Sequence, residues 1–200
     1  MRRTLFATCL VLAFGAAVLW WATSGLRAFT AETARRIAVL ASPEPIPDVE
    51  LVDGSGRSIR LSDYTGQAVI VDFIYTQCPT ICVSLGDNFG RLQERIKADG
   101  VPAKLLSISF DLAQDGPREL SEYARVHGAD ASIWKLARPR NAGELRLLLE
   151  AYAVIVLPDG IGGFVHNAAL HVVGPDGKLT GIYDLDQHNA AFLALRSFIK

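Results

Sequence analysis

Cys78 and Cys82 stand four residues apart in Tyr75-Thr76-Gln77-Cys78-Pro79-Thr80-Ile81-Cys82. Two thiols at that spacing can bind one metal ion, close a disulfide, or exchange disulfides with a client. On a helix, side chains four apart lie on one face, as a shared ligand or a redox couple requires. A purely structural disulfide would close a very short loop and add little stability. Zinc in a closed structural site asks for four ligands, and the Cys-x-x-x-Cys spacing does not recur. Two chemistries remain. A helix N-terminus lowers a thiol's pKa and so favours dithiol–disulfide exchange. Two thiolates also suit Cu(I), and one added imidazole gives a three-coordinate site that accepts Cu(II) as well.

The third ligand must come from four histidines. His127 follows Leu120 and Tyr123 at helical spacing and precedes Gly128, the pattern of a helix-end histidine near the C-terminal dipole. His188 opens a terminal helix and reads as solvent-facing. His166 and His171 flank the end of a Gly-rich segment, Pro158 to Gly163. His171 falls within a strand pattern, which implies packing. His166 precedes that strand, in a loop that can fold over the cysteine helix, and Gly160, Gly162 and Gly163 suggest that residues 158–166 open and close the site.

The elements that must hold these residues are legible from periodicity. Ala68 to Tyr75 is a nearly unbroken apolar run, as a central strand would be. Leu85, Phe89, Leu92 and Ile96 recur at helical spacing, with Gly100 as the stop. Ala103 to Phe110 is a second buried strand. Asp115-Gly116-Pro117 starts a helix that ends at Gly128. Ser132 to Ala137 is a short strand, and Asn141 with Glu144 resembles a capping box. Leu170 to Val173 and Leu179 to Tyr183 form a hairpin about Pro175-Asp176-Gly177, and a last helix runs near His188 to Ile199. Alternation of strands and helices predicts an α/β sheet with helices on its faces.

Two hundred residues, half of them hydrophobic, allow one such domain plus an appendage, and a net charge of −1 without a basic block argues against nucleic-acid binding. The appendage is N-terminal. Arg2 and Arg3 precede an apolar run from Leu5 to Ala22, long enough to cross a bilayer with the N-terminus inside. A cleaved signal peptide is the rival, with Ala22-Thr23-Ser24-Gly25 as its small-residue site. Either way the remainder is exported, to a compartment where thiols meet oxidants. Cys9 lies inside the apolar run, so Cys78 and Cys82 form the only thiol site of the exported part. The expected organisation is an anchor or signal over 1–23, a linker over 24–47 broken by Pro43, Pro45 and Pro47, and a folded domain over 48–200.

From Pro47 to Lys200 the sequence resembles the Sco/SenC family of copper chaperones, which assist assembly of the dinuclear copper site of cytochrome c oxidase. The resemblance is carried by Leu51-Val52-Asp53-Gly54, by Leu61-Ser62-Asp63-Tyr64-Thr65-Gly66, and by a metal motif matched at Phe73, Tyr75, Thr76, Cys78, Pro79 and Cys82. Ser109-Phe110-Asp111 and Asp115 match a further segment. The family's distal histidine, eleven residues before the glycine of a Pro-Asp-Gly turn, falls at His166, with Gly177 in the turn. The resemblance implies a thioredoxin-like fold with an N-terminal transmembrane helix and a β-hairpin or loop insertion before the last strands. It also implies a copper ion bound by Cys78, Cys82 and His166. Val83, Asn167 and His171 depart from the usual residues, and none removes a ligand.

Val71-Asp72-Phe73 looks like the thioredoxin run in which a buried aspartate assists proton transfer. A carboxylate beneath the dithiol would have a raised pKa and act as a base; an aspartate at a strand edge would instead bond to backbone or water. The sequence therefore leads to a membrane-tethered copper-binding chaperone with an exported (periplasmic) soluble domain. Its partner would be the copper-receiving subunit of cytochrome c oxidase or another copper or thiol client. The alternative is a thiol–disulfide oxidoreductase using Cys78, Cys82 and Asp72.

Overall fold

Burial on both faces is what makes Ala68–Ile74 the spine of the structure: every one of its seven residues is buried, as the unbroken apolar run requires. The structure, a computed structural model, describes residues 2–78 and 81–199, and of 81–83 the backbone alone. It divides into two units, Met1–Ser42 and Pro43–Lys200.

In the first unit, α1 (Arg2–Ala22) is an apolar helix with mean hydropathy 2.1 over its best window and no buried residue. At 1.5 Å per residue it spans about 30 Å, the thickness of a bilayer's hydrocarbon core. Helix α2 (Ala31–Ala41) is capped by Thr30, whose Oγ1 accepts from Thr33 N.

The second unit runs β1 (Glu44–Pro45), β2 (Glu50–Asp53), β3 (Ser58–Arg60), β4 (Ala68–Ile74), α3 (Ile81–Asp99), β5 (Ala103–Ser109), α4 (Pro117–Val126), β6 (Trp134–Pro139), α5 (Ala142–Ala151), β7 (Val156–Pro158), β8 (Phe164–His166), β9 (Leu170–Val173), β10 (Lys178–Tyr183) and α6 (His188–Arg196). One sheet has the order β1-β10-β9-β4-β5-β6-β2-β3, and β7 and β8 form a separate antiparallel pair. The pairs β4–β5 and β5–β6 are parallel, linked through α3 and α4, whereas β9 joins β4 antiparallel. A mixed sheet with a dithiol motif after its central strand is the thioredoxin-like arrangement.

Glu44 and Pro45 pair with Leu179 and Lys178, although three prolines were expected to keep this segment irregular. The physical reason is position: β1 is an edge strand, where proline's missing N–H faces away from the ladder. Helices close both faces. On one, Phe89 of α3 meets Trp134 and Arg95 stacks over Phe192 of α6. On the other, Tyr152 at the end of α5 packs edge-on against Phe73. The start of α5 is set by Asn141, whose Oδ1 accepts from Glu144 N.

Candidate metal centre

The polypeptide leaving β4 is fixed by a carboxylate 39 residues further on. Thr76 N and Thr76 Oγ1 donate to Asp115 at 2.8 and 2.6 Å, and Ser109 Oγ donates to the same carboxylate at 2.5 Å. Ser109 Oγ in turn accepts from Asp111 N, and Asp111 Oδ1 accepts from Ala113 N and Gln114 N, shaping the β5–α4 loop. Asp115 is fully buried. Two residues after Thr76, Cys78 is buried at 6% exposure and donates its N–H to Tyr75 O. Helix α3 is described from Ile81, and the two residues between it and Cys78 lie outside the described residues. The side chain of Cys82 lies outside the described residues.

On the other side of this loop stands the β7–β8 hairpin. Tyr75, Phe110 and Phe164 form a ring cluster with centroid separations of 5.3 to 5.5 Å, and His166 packs edge-on against Phe110 at 5.0 Å. His166 is thereby joined to the Cys78 loop through Phe110 and Tyr75. Its two ring nitrogens are buried and have no hydrogen-bond partner among the described residues. Burial pulls its pKa down to about 4, so the imidazole is neutral at pH 7 and its lone pair is available to a metal.

Residues 158–166, expected as a loop that opens and closes the site, instead include the turn and second strand of the β7–β8 hairpin. Asp159 Oδ1 accepts from Ile161 N and Gly163 N, closing the turn. Gly163 is needed there because a Cβ would come within 2.6 Å of Asp159 and 3.0 Å of the Tyr75 hydroxyl. Asn167 ties the hairpin's base, accepting from Ile155 N and donating to Ala153 O.

Asp72 lies in the middle of the sheet rather than at a strand edge, is 1% exposed, and neither carboxylate oxygen has a hydrogen-bond partner among the described residues. Desolvation raises its pKa to about 7, and its register partner Ser107 offsets this only in part. His171 is buried in β9, with Nδ1 3.3 Å from Val71 O and its ring between Phe73 and Tyr152, a packing position. His188 is half-buried rather than solvent-facing. His127 caps α4 and lines a cleft with Cys78.

Among the described residues no group of three or more His, Cys, Asp or Glu side chains converges as a metal site. His166 and Cys78 are drawn to one region, and Asp72 belongs to the strand that feeds it. Sequence reading missed the part played by Asp115, because its hydrogen bonds cross 39 residues and no local periodicity reports them. It missed the roles of Phe110 and Asn167 for the same reason.

The SCO1/SenC family model matches residues 42–197. The chain belongs to the SCO1/SenC family. It is 28% identical over 131 residues to the SCO1 protein homolog of Bacillus subtilis, covering 64% of this chain and 68% of that one. The copper-bound structure of Bradyrhizobium japonicum ScoI is similar with a TM-score of 0.67 at 19% identity, over 78% of this chain and 100% of that one. BsSco, described as a Sco family cytochrome c oxidase assembly protein with a disulfide switch, matches with a TM-score of 0.70 at 22% identity, over 79% of this chain and 96% of that one. These likenesses establish the thioredoxin-like Sco fold for the second unit.

Proposed function

We propose that this SCO1/SenC protein is a membrane-tethered copper chaperone. Cys78 and Cys82 act as thiolate ligands and His166 as the imidazole ligand of Cu(I) or Cu(II). The observation that carries the reading is the half-buried, neutral His166 ring, whose two buried nitrogens lack partners among the described residues beside the Cys78 loop. A buried polar group without a partner costs about 1–3 kcal/mol, and a metal ion would satisfy one of these nitrogens. Thiolates and imidazole are the donor set that a soft cation selects. Copper is the cargo, handed over by ligand exchange. The client is the copper-receiving subunit of cytochrome c oxidase, in keeping with the assembly role ascribed to BsSco. Helix α1 is the inner-membrane anchor, with Arg2 and Arg3 on the cytoplasmic side and the Pro43–Lys200 unit in the periplasm.

Titrating the reduced full chain in detergent with Cu(I), against a competing chelator, tests this. Tight 1:1 binding that weakens at least tenfold in His166→Ala is expected; weak binding indifferent to His166 would overturn it.

A second reading is favoured by Asp72. A buried carboxylate with pKa near 7 on the strand that feeds Cys78 suits a proton acceptor for dithiol chemistry. In that reading the Cys78 thiolate attacks a client disulfide, and Cys82 then attacks the mixed disulfide. The client leaves reduced and the Cys78–Cys82 pair oxidised. Client-disulfide reduction by Asp72→Asn, compared with wild type across pH 6–8, decides whether the carboxylate takes part: a pH-rate profile unchanged by the substitution rules it out.

A further inference from the structure

Tyr75 bonds to both halves of the candidate site. Its carbonyl accepts the Cys78 N–H at 3.3 Å, closing the turn that leads to the thiol. Its hydroxyl reaches the β7–β8 hairpin, where it accepts from Phe164 N at 3.4 Å and donates to Phe164 O at 3.5 Å. One residue therefore ties the hairpin's second strand to the segment that carries Cys78.

Packing alone does not call for the hydroxyl. Tyr75 is buried, and its ring meets Phe164 edge-on at 5.3 Å and Phe110 at 5.5 Å. A phenylalanine would make the same ring contacts. A buried phenol instead needs hydrogen-bond partners, and the hairpin main chain provides them. The hairpin also leaves room for the phenol. A Cβ at Gly163 would stand 3.0 Å from the Tyr75 oxygen and 2.6 Å from Asp159, although Gly163 has no positive φ that would itself demand glycine.

The position of Phe164 is passed on to the imidazole. Phe164 and His166 are two apart in β8, so their side chains share one face. Both pack on Phe110, with centroids 5.5 and 5.0 Å away, and Phe110 N donates to Ile74 O at the end of β4. Strand geometry and ring packing thus connect the Tyr75 hydroxyl to His166. Both hydroxyl bonds are long, so they hold the hairpin weakly and the fold does not depend on them.

Resting on the copper reading above, we infer that Tyr75 is a positioning residue whose hydroxyl sets where the His166 imidazole stands relative to the Cys78 thiolate. It acts through His166 and not on copper itself. With the hairpin already tied down, the imidazole joins the sulfur donors without first paying the entropy of ordering its strand. Without the hydroxyl the thiolates keep their places and the imidazole loses its fixed position, so affinity falls toward that of the sulfur donors alone.

The test uses the full chain in detergent as wild type, Tyr75→Phe, His166→Ala and the double variant, each reduced and titrated with Cu(I) against a competing chelator. Tyr75→Phe should bind about fivefold more weakly than wild type. In the His166→Ala background the same substitution should change affinity by less than about twofold, because its effect runs through the imidazole. Loaded with Cu(II), Tyr75→Phe should show a weaker or heterogeneous imidazole-nitrogen coupling in pulsed EPR. Amide exchange without copper locates the change: faster at Phe164, unaltered at Thr76, whose N–H is held by Asp115. Wild-type affinity in Tyr75→Phe, an equal loss in both backgrounds, or unchanged exchange at Phe164 would overturn the inference and leave the chaperone reading intact. A wild-type affinity indifferent to His166 would overturn that reading and the inference with it.

Discussion

Asp115 and Asp72 are both buried in the dithiol domain, yet their surroundings are opposite. Asp115 accepts three hydrogen bonds, two from Thr76 and one from Ser109, and so holds the strand β4 exit against the β5–α4 loop. Asp72 has no donor at ordinary hydrogen-bond geometry, the Ser107 hydroxyl acting on it only weakly, and desolvation raises its pKa to about 7. A carboxylate that receives donors fixes a backbone; one deprived of them becomes a titrating group near neutral pH. The loop carrying Cys78 is therefore tied at its root by hydrogen bonds, while a carboxylate with a raised pKa lies in the sheet beneath it.

The sharpest way to break this contrast is the pH dependence of stability. Asp72 has a folded pKa above its unfolded value, so between about pH 4 and 7 the folded state binds more protons than the unfolded one. Stability is then greatest at the acid end of that window and falls as pH rises through 7. The full difference approaches about 4 kcal/mol. Asp72→Asn should remove this slope, and urea unfolding of wild type and variant at pH 5 and pH 8 measures it. Equal slopes would mean that Asp72 is solvated and the contrast is lost.

Next in size, Asp115→Ala should cost about 3 kcal/mol at pH 7, because it strands buried Ser109 and the Thr76 N–H. Urea unfolding checks this, and Cu(I) affinity should fall with it as the Cys78 loop loosens. A cost below 1 kcal/mol would show that the loop is held by something other than Asp115.

Asn167→Ala should cost about 1 kcal/mol, since both of its bonds are at an exposed hairpin base. Its signature is faster amide exchange at Ile155, whose N–H bonds to Asn167, with the Thr76 amide unaffected. Coupled loss at both amides would mean that hairpin and loop open together.

Much of the domain was legible because its signals are local. The apolar run of β4, the 3.6-residue pattern of Leu85, Phe89, Leu92 and Ile96, and the Pro-Asp-Gly turn report neighbours in sequence, and the strands and helices lie where those patterns place them. Pro45 was misleading, because whether a proline breaks a strand depends on whether that strand is at an edge, which no local pattern reports. The Gly-rich segment looked like a loop because glycine marks freedom in sequence, whereas here Gly163 serves a close approach within a hairpin.

By itself the sequence determined the donor types available, their order along the chain, the apolar N-terminal helix and the alternating elements of an α/β sheet. These follow from composition and periodicity, which act over a few residues. Only the tertiary structure decided which groups share an environment. His166 meets Phe110 from far along the chain, Asp115 reaches back to Thr76, and His127 settles on Gly86. Burial, and with it the loss of partners that neutralises His166 and raises the Asp72 pKa, is a property of packing. A carboxylate or an imidazole in sequence has its ordinary pKa until a folded chain removes the water around it.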